Sequence, residues 1–139
     1  MKKLICLFLI AVLFAVVGVS MAGPDPLWKE HGDQAKKAQA LKAQGDYLGA
    51  AEMHPYSLCK AGYLWNYACS LIGKRDANGN WIYDITKKAN NAEALKYLDQ
   101  ADAMIATPDE VSEGKCKGWN VELLKIYIVN VRKQIQSNQ

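Results

Sequence analysis

Beyond its opening stretch, this 139-residue chain has little of what most familiar chemistries require. It contains two histidines, His31 and His54, and no Cys-x-x-Cys pair. That excludes a thioredoxin-type dithiol and c-type haem attachment, which both depend on the close pair. A zinc site assembled from its cysteines and histidines would have no two ligands at close spacing. Nothing local sets either histidine beside a thiol, as a Cys–His nucleophilic pair would need. Both read as structural or surface residues near breaks in the chain. No phosphate loop, paired-carboxylate site or Ser-His-Asp series stands out. No cofactor and no metal is therefore expected.

Strong net charge is missing too. Seventeen basic residues face fourteen acids, a formal balance of +3. Lys2 and Lys3 belong to a leader: a charged start, then residues 4–19, apolar except for Gly18. Ser20-Met21-Ala22 follows, with small residues at the −3 and −1 positions that signal peptidase reads. Cys6 lies early in the apolar run, which does not fit a lipoprotein acylation site. Sixteen residues fall short of the roughly 20 that span a bilayer. Residues 1–22 are read as a bacterial signal peptide, with Gly23 the first mature residue. The remaining chain carries a balance of about +1, which gives no charge-driven attraction to nucleic acid or anionic membrane. An exported domain of one core is expected, periplasmic or secreted, with no membrane span after cleavage.

β-branched residues are scarce between Asp33 and Val111, while Ala, Lys and Gln abound, so the text reads as helical. A Pro-containing lead-in covers 23–30. Gly45-Asp46 ends the first helix, and a second is expected from Tyr47 to about Cys59, kinked or shortened by Pro55. Gly62 is read as the next break. A third helix runs from Tyr63 to Ile72, with an apolar stripe along it. Residues 74–90 are the least regular stretch, and Asn78-Gly79 could tip a small hairpin. A helix over 91–105 follows. Thr107-Pro108-Asp109-Glu110 reads as a helix start, and a last helix spans 119–136. The fold class is all-α, with five or six helices and an irregular insertion.

Two stretches can be overlaid at helix–turn–helix scale. One is residues 38–51, with Gly45-Asp46-Tyr47-x-x-Ala50 at its turn. The other is split into Trp65-Asn66-Tyr67-Ala68-Cys69 and the Glu93-to-Ala101 run. Together they resemble the tetratricopeptide repeat. The resemblance covers about residues 31–105 and implies a short solenoid of helical hairpins within a domain of 31–139. Ala38, Ala50, Ala68, Ala94 and Ala101 would be close crossing points, flanked by Tyr47 and Leu98. Residues 74–90 would interrupt the second repeat. Residues 119–136 would cap the stack, with Val121, Leu124, Ile128, Val131 and Ile135 inward.

Three cysteines lie beyond the leader, so one disulfide and one free thiol are expected. Cys69 lies among small residues of a packed helix, where a thiol behaves as a small hydrophobe. Cys59 and Cys69 would be offset along antiparallel helices by roughly 7–10 Å, beyond disulfide reach. In stacked helix pairs the second helices end on one edge, which brings Cys59 to Cys116. Asp76-Ala77-Asn78-Gly79-Asn80 with Asp84 resembles an EF-hand calcium loop. Trp81 and Lys87 hold the positions that need Gly and a bidentate acid, so an ordinary turn is favoured.

Aromatic residues are plentiful for so small a domain. Trp81 and Tyr83, two apart, would share one face of a strand. With Tyr63, Trp65 and Trp119 they are candidate anchors for a partner. Covering the core from one edge is the competing role. Repeat arrays of this kind hold extended peptides or helices in a groove. The resemblance therefore implies a non-enzymatic interaction or scaffold module for a protein or peptide of the cell envelope. The alternative is a small ligand-binding protein or enzyme that uses 74–90 as a lid.

Overall fold

The computed structural model describes residues 26–106, 116 and 118–137, with only the backbone of 26–28. The signal-peptide reading and the helix start at Thr107 lie outside these residues. By its internal contacts the chain divides into Met1–Glu30 and His31–Gln139. The candidate site belongs wholly to the second unit.

The described residues form five helices and one small antiparallel hairpin, an all-α fold. The helices are α1 (Pro26–Ala43), α2 (Tyr47–Met53), α3 (Ser57–Ile72), α4 (Lys88–Ala106) and α5 (Val121–Gln136). Strands β1 (Gly73–Arg75) and β2 (Trp81–Tyr83) lie between α3 and α4.

The α1–α2 turn shows why Gly45-Asp46 separates two helices. Gly45 has φ +82°, a left-handed conformation that costs glycine little. The Gly45 N–H donates to Lys42 O and the Asp46 N–H to Leu41 O, at 2.9 and 3.0 Å. This is the paired closure of a Schellman motif. Asp46 then caps α2, its Oδ1 accepting from Gly49 N–H at 2.8 Å.

Several boundaries differ from the sequence expectation. The lead-in is already helical from Pro26, because proline at the first helical position gives up no bond that the helix would have made. The second helix stops at Met53, well short of Cys59. His54 adopts an extended conformation, which is what a following proline imposes. Gly62 is no break at all. α3 runs through it to Ile72, and α4 begins at Lys88, inside the span read as insertion.

α3 is the central element. It packs chiefly on α4, then on α2, and it touches α5 and both strands. Its buried positions therefore go most of the way round: Leu58, Ala61, Leu64, Ala68 and Ile72 among them. Large side chains such as Leu58, Ile72, Leu98, Leu124 and Ile128 are fully enclosed. Each contributes about 1.5–3 kcal/mol by leaving water. Ala38, Ala50, Ala68, Ala94 and Ala101 are all completely buried. α5 turns Leu124, Ile128, Val131 and Ile135 inward. Asn120 caps it by accepting from Leu123 N–H at 2.7 Å. Arg132 ties it to Asp99 and Asp102 of α4.

Cys59 and Cys116 stand at disulfide distance, with Cα atoms 5.5 Å apart. The pair is the one expected, but the helix-edge argument for it fails, because Cys59 lies in the first turn of α3, on the same helix as Cys69, and does not close the preceding helix. Cys69 is buried and free.

Candidate functional site

The hairpin positions the site. Asp76 organises its tip: Oδ1 accepts from both Asn78 N–H and Asn80 N–H at 2.8 Å. These bonds hold the carboxyl below its ordinary range. Asp84 is likewise lowered, by the Thr86 hydroxyl and N–H that it accepts. The stretch that resembles a calcium loop is thus a self-satisfied turn.

Register sets Arg75 opposite Trp81. The guanidinium carbon lies 4.4 Å from the centre of the Trp81 ring, a cation–π contact. Arg75 also donates to Gly79 O and, at 2.7 Å, to Oδ1 of Asn66 on α3. Asn66 is itself oriented, since its Nδ2 donates to Gly62 O at 2.9 Å. Trp81 and Tyr83 face the helices while Ile82 points outward, 53% exposed. Trp81 meets Tyr47 edge-on. The Tyr83 hydroxyl is 3.5 Å from Cys69 Sγ. With Asp84 N–H bonded to Ile72 O and Asn90 Nδ2 to Leu71 O, the insertion is tied to α3 at several points.

On the α5 side, Trp65, Trp119 and Tyr127 form an aromatic group. Trp65 stacks on Tyr127 at 5.1 Å and meets Trp119 edge-on at 5.7 Å. Gly62 makes room for it. A Cβ there would lie 2.8 Å from Trp119 Cε2.

Between these two groups opens a cleft of about 510 Å³. Trp65, Trp81, Tyr83 and Trp119 all line it, so four of the five candidate anchors converge. Lys42 and Arg75 supply charge, Asn66, Asn80 and Asn130 supply amides, and no carboxylate is among the lining residues. Two buried indole N–H groups, Trp65 Nε1 and Trp81 Nε1, have no acceptor among the described residues. Tyr63 lies elsewhere. Two positions from Trp65, it faces another side of α3 and packs on His54 at 5.7 Å.

The nucleophile candidates are chemically quiet. Burial pushes the Cys69 thiol up to about 12, despite the Tyr83 hydroxyl and the charge of Arg75. Thiolate is the reactive form, so Cys69 is inert near neutrality. His54 is buried, and burial with the nearby charge of Lys60 lowers its pKa. Its Nδ1 accepts from Tyr56 N–H at 3.2 Å. Among the described residues, no three His, Cys, Asp or Glu side chains are grouped to hold a metal. None of the described helices is long and apolar enough to cross a membrane.

Asn66, Arg75 and Tyr127 were not legible as site residues. The available signal was weak: Arg75 and Trp81 flank the Asn-Gly turn at hairpin spacing, and Tyr127 sits off the apolar stripe of its helix. No family model, no curated protein and no solved structure matches the chain.

Proposed function

We propose that this protein is an exported, non-enzymatic interaction module of tetratricopeptide-like build, whose aromatic cleft seats a segment of an envelope protein. The convergence of Trp65, Trp81, Tyr83 and Trp119 on one cleft carries this reading. Rigid aromatics in a partly shielded pocket are the side chains on which binding energy concentrates. Arg75, fixed by neutral acceptors, adds an oriented charge at little further entropic cost. The five buried alanines and the Gly45-Asp46 turn support the helical-hairpin build. An exported setting accords with the Cys59–Cys116 pair.

The test is a photo-crosslinking amino acid at Asn130, on the cleft, and at Ala103, away from it, in full-length protein exported by its own leader. A specific envelope adduct at Asn130, absent at Ala103 and lost on Trp81→Ala, is the expected result. Equal labelling at both positions, or an adduct indifferent to Trp81→Ala, would overturn the reading. A protein that instead gains thermal stability with a small metabolite would be the ligand-binding alternative.

A further inference from the structure

We propose that the cleft selects an acidic segment, seating a side-chain carboxylate of the partner against Arg75. This rests on the interaction-module reading and adds the chemistry of the occupant.

Three observations lead there. First, the charge lining the cleft among the described residues has one sign: Lys42 and Arg75, with no Asp or Glu. The nearest acid in sequence, Asp76, is already committed to the N–H groups of Asn78 and Asn80. Second, the ion-paired cations among the described residues use carboxylates. Lys125 pairs with Glu122, and Arg132 with Asp99 and Asp102. Arg75 instead rests on two carbonyl oxygens and the face of Trp81. A guanidinium has five N–H donors, so those contacts fix its direction without exhausting it. It also keeps its full charge, since its present acceptors are neutral. Third, the amides of Asn80 and Asn130 on the same lining have N–H groups that can donate to an anion. A carboxylate offers about four lone-pair sites and matches the guanidinium fork. An aromatic or aliphatic neighbour in the same segment would lie on the Trp119 and Tyr127 rings.

The probes are two short peptides, acetyl-Glu-Phe-Glu-Phe-amide and acetyl-Gln-Phe-Gln-Phe-amide, titrated calorimetrically into the full mature chain. The acidic peptide should bind about tenfold more tightly, a difference of about 1.4 kcal/mol. That preference should fall to within about twofold in Arg75→Gln, and in the unchanged protein as salt rises from about 0.05 to about 0.5 M. Arg75→Lys should recover only part of it, because an ammonium cannot make the paired contact. If Arg75→Gln does not fold, Lys42→Gln and the salt series decide. Equal affinity for the two peptides, binding of neither, or an acid preference indifferent to salt and to these substitutions would overturn the inference. Equal affinity would leave the interaction reading standing, because that reading fails only on the crosslinking result.

Discussion

Two aromatic groups flank α3, and they have opposite characters. On one side His54, Tyr56 and Tyr63 pack with His31 at centroid distances of 5.6–5.8 Å. This group is closed: His54 and Tyr63 are both about 5% exposed (5% and 6%), and burial raises the Tyr63 phenol. On the other side Trp65, Trp119 and Tyr127 face Trp81 and Tyr83 across an open cleft. Ring count does not separate them. The closed group fills the kink that Pro55 makes between α2 and α3. The open group is assembled from three separate pieces of chain, none of which fills the space between. Tyr63 and Trp65, two apart on one helix, are both buried, but only Trp65 borders a space that nothing fills.

The largest effect that would break this contrast is loss of the Cys59–Cys116 link, which holds the segment carrying Trp119. The pair closes a loop of 57 residues, and chain entropy puts its contribution at about 4 kcal/mol. A Cys59→Ser/Cys116→Ser protein should lose stability on that order in denaturant titrations, with the Trp119 side of the cleft disordered first. Non-reducing peptide mapping should find the crosslink and leave Cys69 free.

Ala68→Leu or Ala94→Leu should cost about 1–3 kcal/mol or more, since both alanines are fully buried and overpacking forces the helices apart. Thermal melts check this, and both groups should be affected together.

Gly62→Ala sharpens the contrast, because it touches one group only. Alanine favours a helix interior by about 1 kcal/mol over glycine. Here its Cβ would meet the Trp119 ring at 2.8 Å, a ring already held by Trp65 and Tyr127. The net result should be a loss of about 1–2 kcal/mol. The Trp119 indole resonance should shift in NMR spectra while the His54 signals stay in place.

The smallest effect belongs to the closed group. Its lowered pKa means that folded His54 resists protonation. Its contribution to stability is present above the ordinary pKa of about 6.5 and is lost as pH falls through the folded value. Melting temperature should therefore decline as pH falls below about 6.5, and His54→Phe should flatten that decline.

Much of the frame could be read from the residues. The Asn78-Gly79 hairpin and the inward stripe of the last helix depend on local pattern, and each is found where the pattern puts it; the five alanines are buried. Gly62 was misleading because propensity describes an isolated helix, whereas here the contact with Trp119 determines the residue. Tyr47 to Cys59 looked continuous because the cost of Pro55 is visible but the side on which the chain breaks is not. The convergence of the tryptophans had a sequence signal. Arg75 had only its spacing from the Asn-Gly turn, since its direction depends on Asn66 nine residues earlier on another element.

Trp81→Ala and Tyr63→Ala, compared side by side for melting temperature and for the envelope adduct at Asn130, test the contrast most directly. Tyr63→Ala should cost about 3–5 kcal/mol, as a buried aromatic does, while its folded fraction still forms the adduct. Trp81→Ala should keep most of the stability and lose the adduct. The reverse pattern, a stable Tyr63→Ala protein without adduct and a collapsed Trp81→Ala protein, would contradict the assignment of one group to the core and the other to binding.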